Sequence, residues 1–561
     1  MYSTPYEYTN VVDMVLSNQY KKPEHHTLFI DARTGESLTL YGLRRLIGTF
    51  HAGLLRFGLK MGDAVCTFIP NNIYMAPIYM GTMSAGIAIS PANTSYVSSE
   101  LQRQLQISNA KVLIAHPSNL DTALDAAAAV GLPRTSVFSI IRDPKQRVPL
   151  WSDVFIDYSQ PALSPIPMTH QESVDTTAYL CFSSGTTGKS KGVITSHYNV
   201  ISMVMETNKF AGIFQMDPPP QKVMTAVIPL YHFSGVHRYM NSGIPQGATT
   251  VIVEKYSVRT LCDTIQRFKV TDFTAAPPII IHLVNRPECD EYDLSSLQAV
   301  GCGSAPLSPA IIERFKAKYK VPLTQGYGLT EMSPVITYQL PEWARPDSVG
   351  RLAPFMKAKI VDPSSGRGKQ WKEKKVDEEM LTCQAELGVN EPGELCVKGP
   401  NVTQGYKDNP EATANTIDKD GWFHTGDIVR VDEEGNYYVV DRIKELIKYK
   451  GFQVAPVELE AVLLQCPHVA DAGVIGVYDE TQGTEIPLAF VVTHQHSMQQ
   501  NSKTELETTI RDWVNARVAN HKRLRGGVRI IDAIPKNGAG KILRKDMKAI
   551  YENQQKRLSK L

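Results

Sequence analysis

One stretch of this sequence is built for holding phosphate. Tyr179-Leu180-Cys181-Phe182-Ser183-Ser184-Gly185-Thr186-Thr187-Gly188-Lys189-Ser190-Lys191-Gly192-Val193 runs from an apolar strand pattern into a dense cluster of Ser, Thr, Gly and Lys. Glycine lets the backbone turn tightly and approach a ligand closely. Turned backbone N–H groups form anion-binding concavities, hydroxyls add donors, and lysine adds positive charge. A polyphosphate needs this combination, while a flexible surface turn is the competing reading of the same composition. The loop is not of the Walker type, which requires Gly five residues before Gly188, where Ser183 stands. Neither Gly301-Cys302-Gly303 nor Gly326-Tyr327-Gly328 belongs to a G-x-G-x-x-G run, so a dinucleotide-binding Rossmann unit is unsupported.

The elements that must position such a loop alternate. Apolar, β-branched runs predict strands at Ala64–Phe68, Val112–Ala115, Val137–Ile141, Val223–Ile228 and Thr250–Val253. Helical patterns lie at Leu40–Phe57 and Val258–Phe268. Strands alternating with helices imply α/β layers. Ser159–Thr176 is rich in Pro and Ser and reads as a link between subdomains. Pro363–Pro392, with its run of Lys, Arg and Glu around Trp371, reads as a solvated loop. From Asp441 onward the pattern changes to a smaller α+β segment with a basic tail. The expected organisation is therefore a large domain over 1–440 and a small one over 441–561.

Bulk properties exclude several classes. At roughly 150 residues per domain, 561 residues allow three or four compact units. Lys plus Arg number 59 against 57 for Asp plus Glu, and a net charge of +2 gives no reason to expect nucleic acid as a partner. Cysteines 66, 181, 262, 289, 302, 383, 396 and 466 are scattered without a C-x-x-C pair, so reduced core residues are expected rather than a zinc ribbon or disulfide scaffold. His237 and the pair His494/His496 receive no role, since two imidazoles alone do not make a metal site. No secretory leader and no transmembrane segment are expected. Ser559-Lys560-Leu561 is the S-K-L tripeptide, which implies a peroxisomal import receptor as partner and the peroxisome as location.

The motifs from 183 to 545, taken in order, resemble those of the adenylate-forming enzymes: acyl-CoA synthetases, aryl-CoA ligases, beetle luciferases and peptide-synthetase adenylation domains. The likeness is greatest to 4-coumarate–CoA-ligase-like proteins and spans nearly the whole chain. It implies a large N-terminal domain of layered β-sheets and helices and a small mobile α+β C-terminal domain. Ser183, Ser184, Gly185, Thr186, Thr187, Gly188 and Lys191 then form the ATP-phosphate loop, in which Lys189-Ser190 replaces the commoner Leu-Pro or Ser-Pro. In Pro229-Leu230-Tyr231-His232-Phe233-Ser234-Gly235, His232 matches the histidine that lines the acid pocket. Ser304 and Ala305 of Gly301-Cys302-Gly303-Ser304-Ala305-Pro306 match the adenine-side loop. In Gln325-Gly326-Tyr327-Gly328-Leu329-Thr330-Glu331, Tyr327 matches the ring stacked on adenine, Thr330 an α-phosphate contact and Glu331 the Mg²⁺ ligand. Gly393-Glu394-Leu395-Cys396-Val397-Lys398-Gly399 matches a structural strand and turn.

In Trp422-Phe423-His424-Thr425-Gly426-Asp427, Asp427 suits a ribose diol, because a carboxylate accepts two hydroxyl hydrogen bonds. Arg442 is the matching ribose or phosphate contact. Lys450, Gly451 and Phe452 match positions near coenzyme A, whereas Lys448 and Gln453 face the adenylate. Lys541, in Pro535-Lys536-Asn537-Gly538-Ala539-Gly540-Lys541, matches the catalytic lysine, and Asp441 the hinge. The acid pocket by resemblance comprises His232, Phe233, Ser234, Gly326, Gly328, Val335 and Ile336.

The resemblance implies ATP, Mg²⁺ and coenzyme A acting on a carboxylic acid in two half-reactions, with Lys541, His232 and Thr330 as the catalytic residues. Plant 4-coumarate ligases carry His-Ile-Tyr where this chain has His232-Phe233-Ser234, which speaks against a hydroxycinnamate. An otherwise apolar lining suits an aryl or medium-chain acid, for β-oxidation or a specialised metabolite. A luciferase-like oxygenase shares the motifs. A stand-alone enzyme loading a carrier protein stays open, although the pocket motif lacks the acidic residue that pairs an α-amino group.

Overall fold

The computed structural model describes residues 6–558 except 19, 184–189, 211–220, 306, 363–387, 443–444, 450–451, 480–481, 483, 495–501 and 538–539. The chain divides into two compact units. The first holds residues 1–357, 376–381 and 397–423, and the second holds 358–375, 382–396 and 424–561.

The first unit is layered α/β, as the alternating pattern predicts. A six-stranded sheet has the spatial order Val137–Ser139, Ala110–Ala115, Ala64–Phe68, Ala88–Pro91, Thr177–Ser183, Lys191–Ser196. All its pairings are parallel except the last, an antiparallel pair in which Ser183 lies opposite Lys191. A nine-stranded sheet runs Arg351–Leu352, Thr337–Tyr338, Leu323–Tyr327, Ala299–Cys302, Asp272–Ala275, Val223–Ala226, Thr249–Ile252, Thr27–Asp31, Ser37–Thr39. Its central strands are parallel and its edges antiparallel.

Local chemistry explains the elements. The helix Leu40–Arg56 starts where Thr39 accepts the Gly42 N–H with its hydroxyl, one of the orphan donors of a helix start. It packs so closely on Phe155 that a Cβ at Gly53 would lie 2.2 Å from the Phe155 carbonyl oxygen. The helix Val258–Phe268 is capped by Ser257 and ends at Lys269 in the left-handed region. Phe50, Phe155 and Trp151 meet edge to face at 5.3 Å, each fully buried and each contributing about 1.5–3 kcal/mol of transfer free energy. The predicted link at 159–176 is irregular only in its first part, because Thr169 and Glu172 form a capping box that starts a helix at His170–Asp175. The seven cysteines among the described residues are free and buried. Cys383 and most of the predicted solvated loop lie outside the described residues.

The second unit is α+β. A four-stranded sheet has the order Lys357–Val361, Gly393–Lys398, Phe423–Val431, Tyr437–Arg442. A hairpin joins Ile447–Tyr449 to Phe452–Val454, and a three-stranded sheet has the order Val469–Asp479, Thr484–Thr493, Gly527–Ile530. Helices Pro456–Leu463, Lys503–Asn515 and Arg544–Leu558 accompany them. A core of its own, including Leu459, Leu463, Val474, Leu488, Phe490, Ile510 and Met547, supports this unit. Among the described residues no helix is long and apolar enough to cross a membrane.

Candidate active site

In the first unit, three loops leave the carboxyl ends of parallel strands of one sheet. Val223–Ala226 leads into Pro229–Ser234, Ala299–Cys302 into Gly303–Ala305, and Leu323–Tyr327 into Gly328–Glu331. Open α/β sheets bind ligands at this end. Sequence motifs far apart along the chain thus come to one edge.

Glu331 is the centre of the first set. It is 8% exposed and lies in a short 3₁₀ turn, Thr330–Met332. Its Oε1 accepts from Ser183 Oγ at 3.0 Å and from the Tyr406 hydroxyl at 2.9 Å. Ser183 ends the strand that runs into the phosphate-loop motif, so the carboxylate is tied to that motif. Lys191, opposite Ser183, lies with its Nζ 4.7 Å from the centre of the Tyr406 ring, a cation–π distance. Burial and the Glu331 charge push the Tyr406 phenol up, so it donates as a neutral hydroxyl. Ser184, Gly185, Thr186, Thr187 and Gly188 lie outside the described residues. A buried carboxylate beside a hydroxyl is an oxygen donor set of the kind Mg²⁺ takes, usually with one or two carboxylates plus substrate phosphates. The residues present therefore fit this ion.

Residues that carry no motif hold the turn. Thr403 N–H donates to the Glu331 carbonyl at 2.8 Å, and Asn401 Nδ2 donates to Met332 O at 2.7 Å. Gly405 and Lys407 pair with Ile194 and Gly192, which places Tyr406 against Val193. Asn401 and Tyr406 were not legible as site residues, because nothing local marks an Asn or a Tyr as partner to a carboxylate so distant in sequence.

The acid-pocket motif sits in a turn that Asn71 clamps. Asn71, 6% exposed, donates to Ala226 O and Ile228 O and accepts from Leu230 N–H at 2.7 Å. His232 precedes the short helix Phe233–Val236, and burial pushes its imidazole down, so it is neutral at neutral pH. Phe233 is 1% exposed and packs edge to face on Tyr179 at 5.1 Å, so its ring belongs to the core behind the turn. Ser234 is partly buried. Gly328 and Val335 are brought together: a Cβ at Gly328 would lie 1.9 Å from Pro334 O and 3.0 Å from the Val335 Cα. Ile336 is fully buried and its N–H donates to Tyr327 O, while Gly326 pairs with Tyr338.

Tyr327 and Thr330 are partly buried, Ala305 likewise, and Ser304 is exposed with φ +73°. Gln325, which the resemblance places among the ATP/AMP-binding residues, is tied through its side chain to a neighbouring loop. It is 8% exposed, and its Nε2 donates to Pro346 O and Ser348 O, both at 3.0 Å. Its Nε2 thereby holds the loop at 346–348.

The second unit holds the other set. Asp427, 2% exposed, lies opposite Arg442 in an antiparallel pair. Its N–H donates to Thr425 Oγ1 at 3.1 Å. Asp441, also 2% exposed, faces Ile428. Lys448 pairs with Gln453 and Tyr449 with Phe452 across the hairpin, whose tip, Lys450 and Gly451, lies outside the described residues.

Lys541 is partly buried at the end of a closed loop. Its N–H donates to Asn537 Oδ1 and its carbonyl accepts from Asn537 N–H, both at 2.9 Å. Lys536 and Ile542 form a bridge across the base. Arg544 anchors the exit, through Nη1 on Glu445 at 2.9 Å, Nη2 on Glu460 at 2.8 Å and Nε on Val474 O at 3.1 Å. Burial pushes the Glu460 carboxyl up to about 7. Ser559, Lys560 and Leu561 lie outside the described residues.

The comparisons bear on the family and the fold. The model of the AMP-binding enzyme family matches residues 16–407, and that of the AMP-binding enzyme C-terminal domain matches 458–541. The chain is 37% identical over 536 residues to the peroxisomal OPC-8:0-CoA ligase 1 of Arabidopsis thaliana, covering 94% of this chain and 91% of the relative. It is 34% identical over 531 residues to 4-coumarate–CoA ligase 1 of Petroselinum crispum, covering 93% and 90%. Among solved structures, ATP-bound MatB from Rhodopseudomonas palustris superposes with a TM-score of 0.81 at 25% identity, over 97% of this chain and 99% of that one. With a family model over most of its length and relatives this similar from end to end, the chain belongs to the AMP-binding enzyme family.

Proposed function

We propose that this enzyme is an AMP-forming acid–thiol ligase that joins an aryl or medium-chain carboxylic acid to coenzyme A. The observation that carries the reading is the Glu331 carboxylate, tied to Ser183 at the phosphate-loop motif and to Tyr406, at the carboxyl edge of a parallel sheet. Its relatives named as CoA ligases support the thiol as acceptor.

In the first half-reaction a carboxylate oxygen of the acid attacks the α-phosphorus of ATP, and the bond to the bridging oxygen breaks with loss of pyrophosphate. Two anions must meet, so the barrier is electrostatic and positional. The hydroxyls of Ser184, Thr186 and Thr187 and the charge of Lys191 hold the phosphates. Thr330 contacts the α-phosphate, and Tyr327 presents a ring face to adenine beside Ser304 and Ala305. Asp427 accepts from the ribose hydroxyls, with Arg442 beside it. Lys541 places its ammonium between carboxylate and α-phosphate, where charge develops. Glu331 would hold Mg²⁺, whose charge neutralises the departing pyrophosphate. His232, Gly326, Gly328 and Val335 line the acid, whose chain an apolar wall accepts.

In the second half-reaction the coenzyme A sulfur attacks the acyl carbonyl, the anhydride bond breaks, and AMP leaves with its electron pair. Rotation about Asp441 withdraws Lys541 and brings in Lys450, Gly451 and Phe452, with Lys448 and Gln453 toward the adenylate. A domain motion thereby gates two steps. The Ser559-Lys560-Leu561 ending supports delivery to the peroxisome, and the Arabidopsis relative is itself named peroxisomal.

The test mixes the purified chain with Mg·ATP and a panel of acids, with and without coenzyme A, and follows AMP and acyl-CoA by mass spectrometry. A thioester that requires coenzyme A is expected. Adenylate without thioester would move the acceptor to a carrier protein, and no turnover with any acid would overturn the reading.

A further inference from the structure

Outside the residues assigned to catalysis, one cluster combines the three commonest ligands of borderline-soft metals. Glu394 and Cys396 stand two apart on the strand Gly393–Lys398, so they share a face. The neighbouring strand Phe423–Val431 supplies His424. All three belong to the second compact unit. His424 Nδ1 lies 3.0 Å from Glu394 Oε2 and 3.4 Å from Cys396 Sγ. One ligand atom from each residue falls within 4.8 Å of the others.

We propose that Glu394, Cys396 and His424 form a binding site for Zn²⁺, distinct from the Mg²⁺ position at Glu331. A tetrahedral zinc with bonds of about 2.0–2.3 Å holds its ligand atoms about 3.3–3.6 Å apart. The two pairs that His424 makes need to separate by only a few tenths of an ångström, and the Glu394 and Cys396 ligand atoms lie within 4.8 Å of each other. The donor set also selects the metal. Thiolate and imidazole suit Zn²⁺, whereas Mg²⁺ takes oxygen ligands and Glu331 offers one.

The outer contacts hold the ligands in place. The other oxygen of Glu394 accepts the Gly426 N–H at 3.2 Å, and Thr425 Oγ1 donates to Leu395 O at 2.7 Å. Such partners fix the orientation of metal ligands. Access is from the His424 side: that side chain is 34% exposed against 14% for Glu394, and Cys396 is buried. Water can complete the coordination shell there.

Binding displaces a proton: the Cys396 thiol gives one up to become a thiolate ligand, and it passes to solvent. Affinity falls as pH falls, because protons compete for the same atoms.

The experiment uses the full chain, stripped with a chelator and titrated with Co²⁺ in the absence of ATP. A thiolate-to-cobalt charge-transfer band and visible bands of tetrahedral intensity should saturate at one equivalent and be displaced by Zn²⁺. Calorimetry in buffers of different ionisation enthalpy should show net proton release on binding, as metal ligation of a thiol requires. Cys396→Ser should abolish the charge-transfer band. His424→Gln, at a partly exposed position, should weaken affinity at least about tenfold, the lower range for losing even an outer-shell partner. Circular dichroism shows whether each variant folds, and if Cys396→Ser does not, His424→Gln and Glu394→Gln carry the test. Absence of the charge-transfer band, or its survival in folded Cys396→Ser or at unchanged affinity in His424→Gln, would overturn the site and leave a hydrogen-bonded trio.

Discussion

The Tyr406 hydroxyl donates to Glu331 Oε1 at 2.9 Å across 75 residues of sequence, and the same oxygen accepts from Ser183. Glu331 is therefore oriented from two sides, by the strand that enters the phosphate-loop motif and by a segment that pairs with the opposite strand of the same hairpin. If Glu331 holds Mg²⁺ as proposed, Tyr406 acts through it as a positioning residue.

Tyr406→Phe removes that donor and keeps the ring. A hydrogen bond to a charged group contributes about 1.5–3 kcal/mol, so adenylation should fall on the order of tenfold or more. The Mg²⁺ concentration for half-maximal rate should rise, while the KM for the acid stays unchanged. A Mg²⁺ titration of pyrophosphate release checks this, and an unaltered Mg²⁺ dependence would refute the role.

Lys541→Ala should abolish formation of the adenylate and spare thioester formation from supplied acyl-AMP. Single-turnover assays of each half-reaction separate the two. Equal loss of both would end the proposed division of labour between the Lys541 loop and the hairpin at 447–454.

Gly328→Ala drives a methyl to 1.9 Å from Pro334 O, a backbone atom that cannot swing aside. Overpacking costs about 1–3 kcal/mol, so the melting temperature should drop, and the KM for the acid should rise because Val335 must move. A variant as stable and as active as the parent would show that the turn is more pliant than its geometry.

Glu460 gives a pH dependence with a definite sign. Its folded pKa of about 7 lies above the ordinary 4.5, chiefly through burial, with Arg544 opposing the shift. A raised folded pKa means that its stability contribution is fully present below about 4.5 and is lost as pH rises through about 7. Glu460→Gln keeps the acceptor for Val474 N–H and Arg544 and removes the titration. The difference in melting temperature, variant minus parent, should grow between pH 5 and 8. A difference independent of pH would contradict this assignment.

Much of the architecture was legible from the chain alone. The strand pattern at Ala64–Phe68 and the helix pattern at Val258–Phe268 reappear with the same bounds, and Leu40–Phe57 ends one residue earlier. Periodicity, caps and turn residues are local properties, so a local reading recovers them. The order of the motifs likewise identified the family, because short runs such as Gln325–Glu331 keep their chemistry within a few residues.

What the sequence by itself could not decide is which side chains meet. Tyr406 and Asn401 reach the Glu331 turn from a segment that no motif marks. Gln325, inside a motif, turns its amide to Pro346 and Ser348. Glu394, Cys396 and His424 look unrelated along the chain, and only the adjacency of two strands brings their ligand atoms together. Strand order and register set these neighbours, and both are chosen by the whole core at once. Composition and spacing therefore determine the chemistry that is present, and the tertiary structure determines which groups share it.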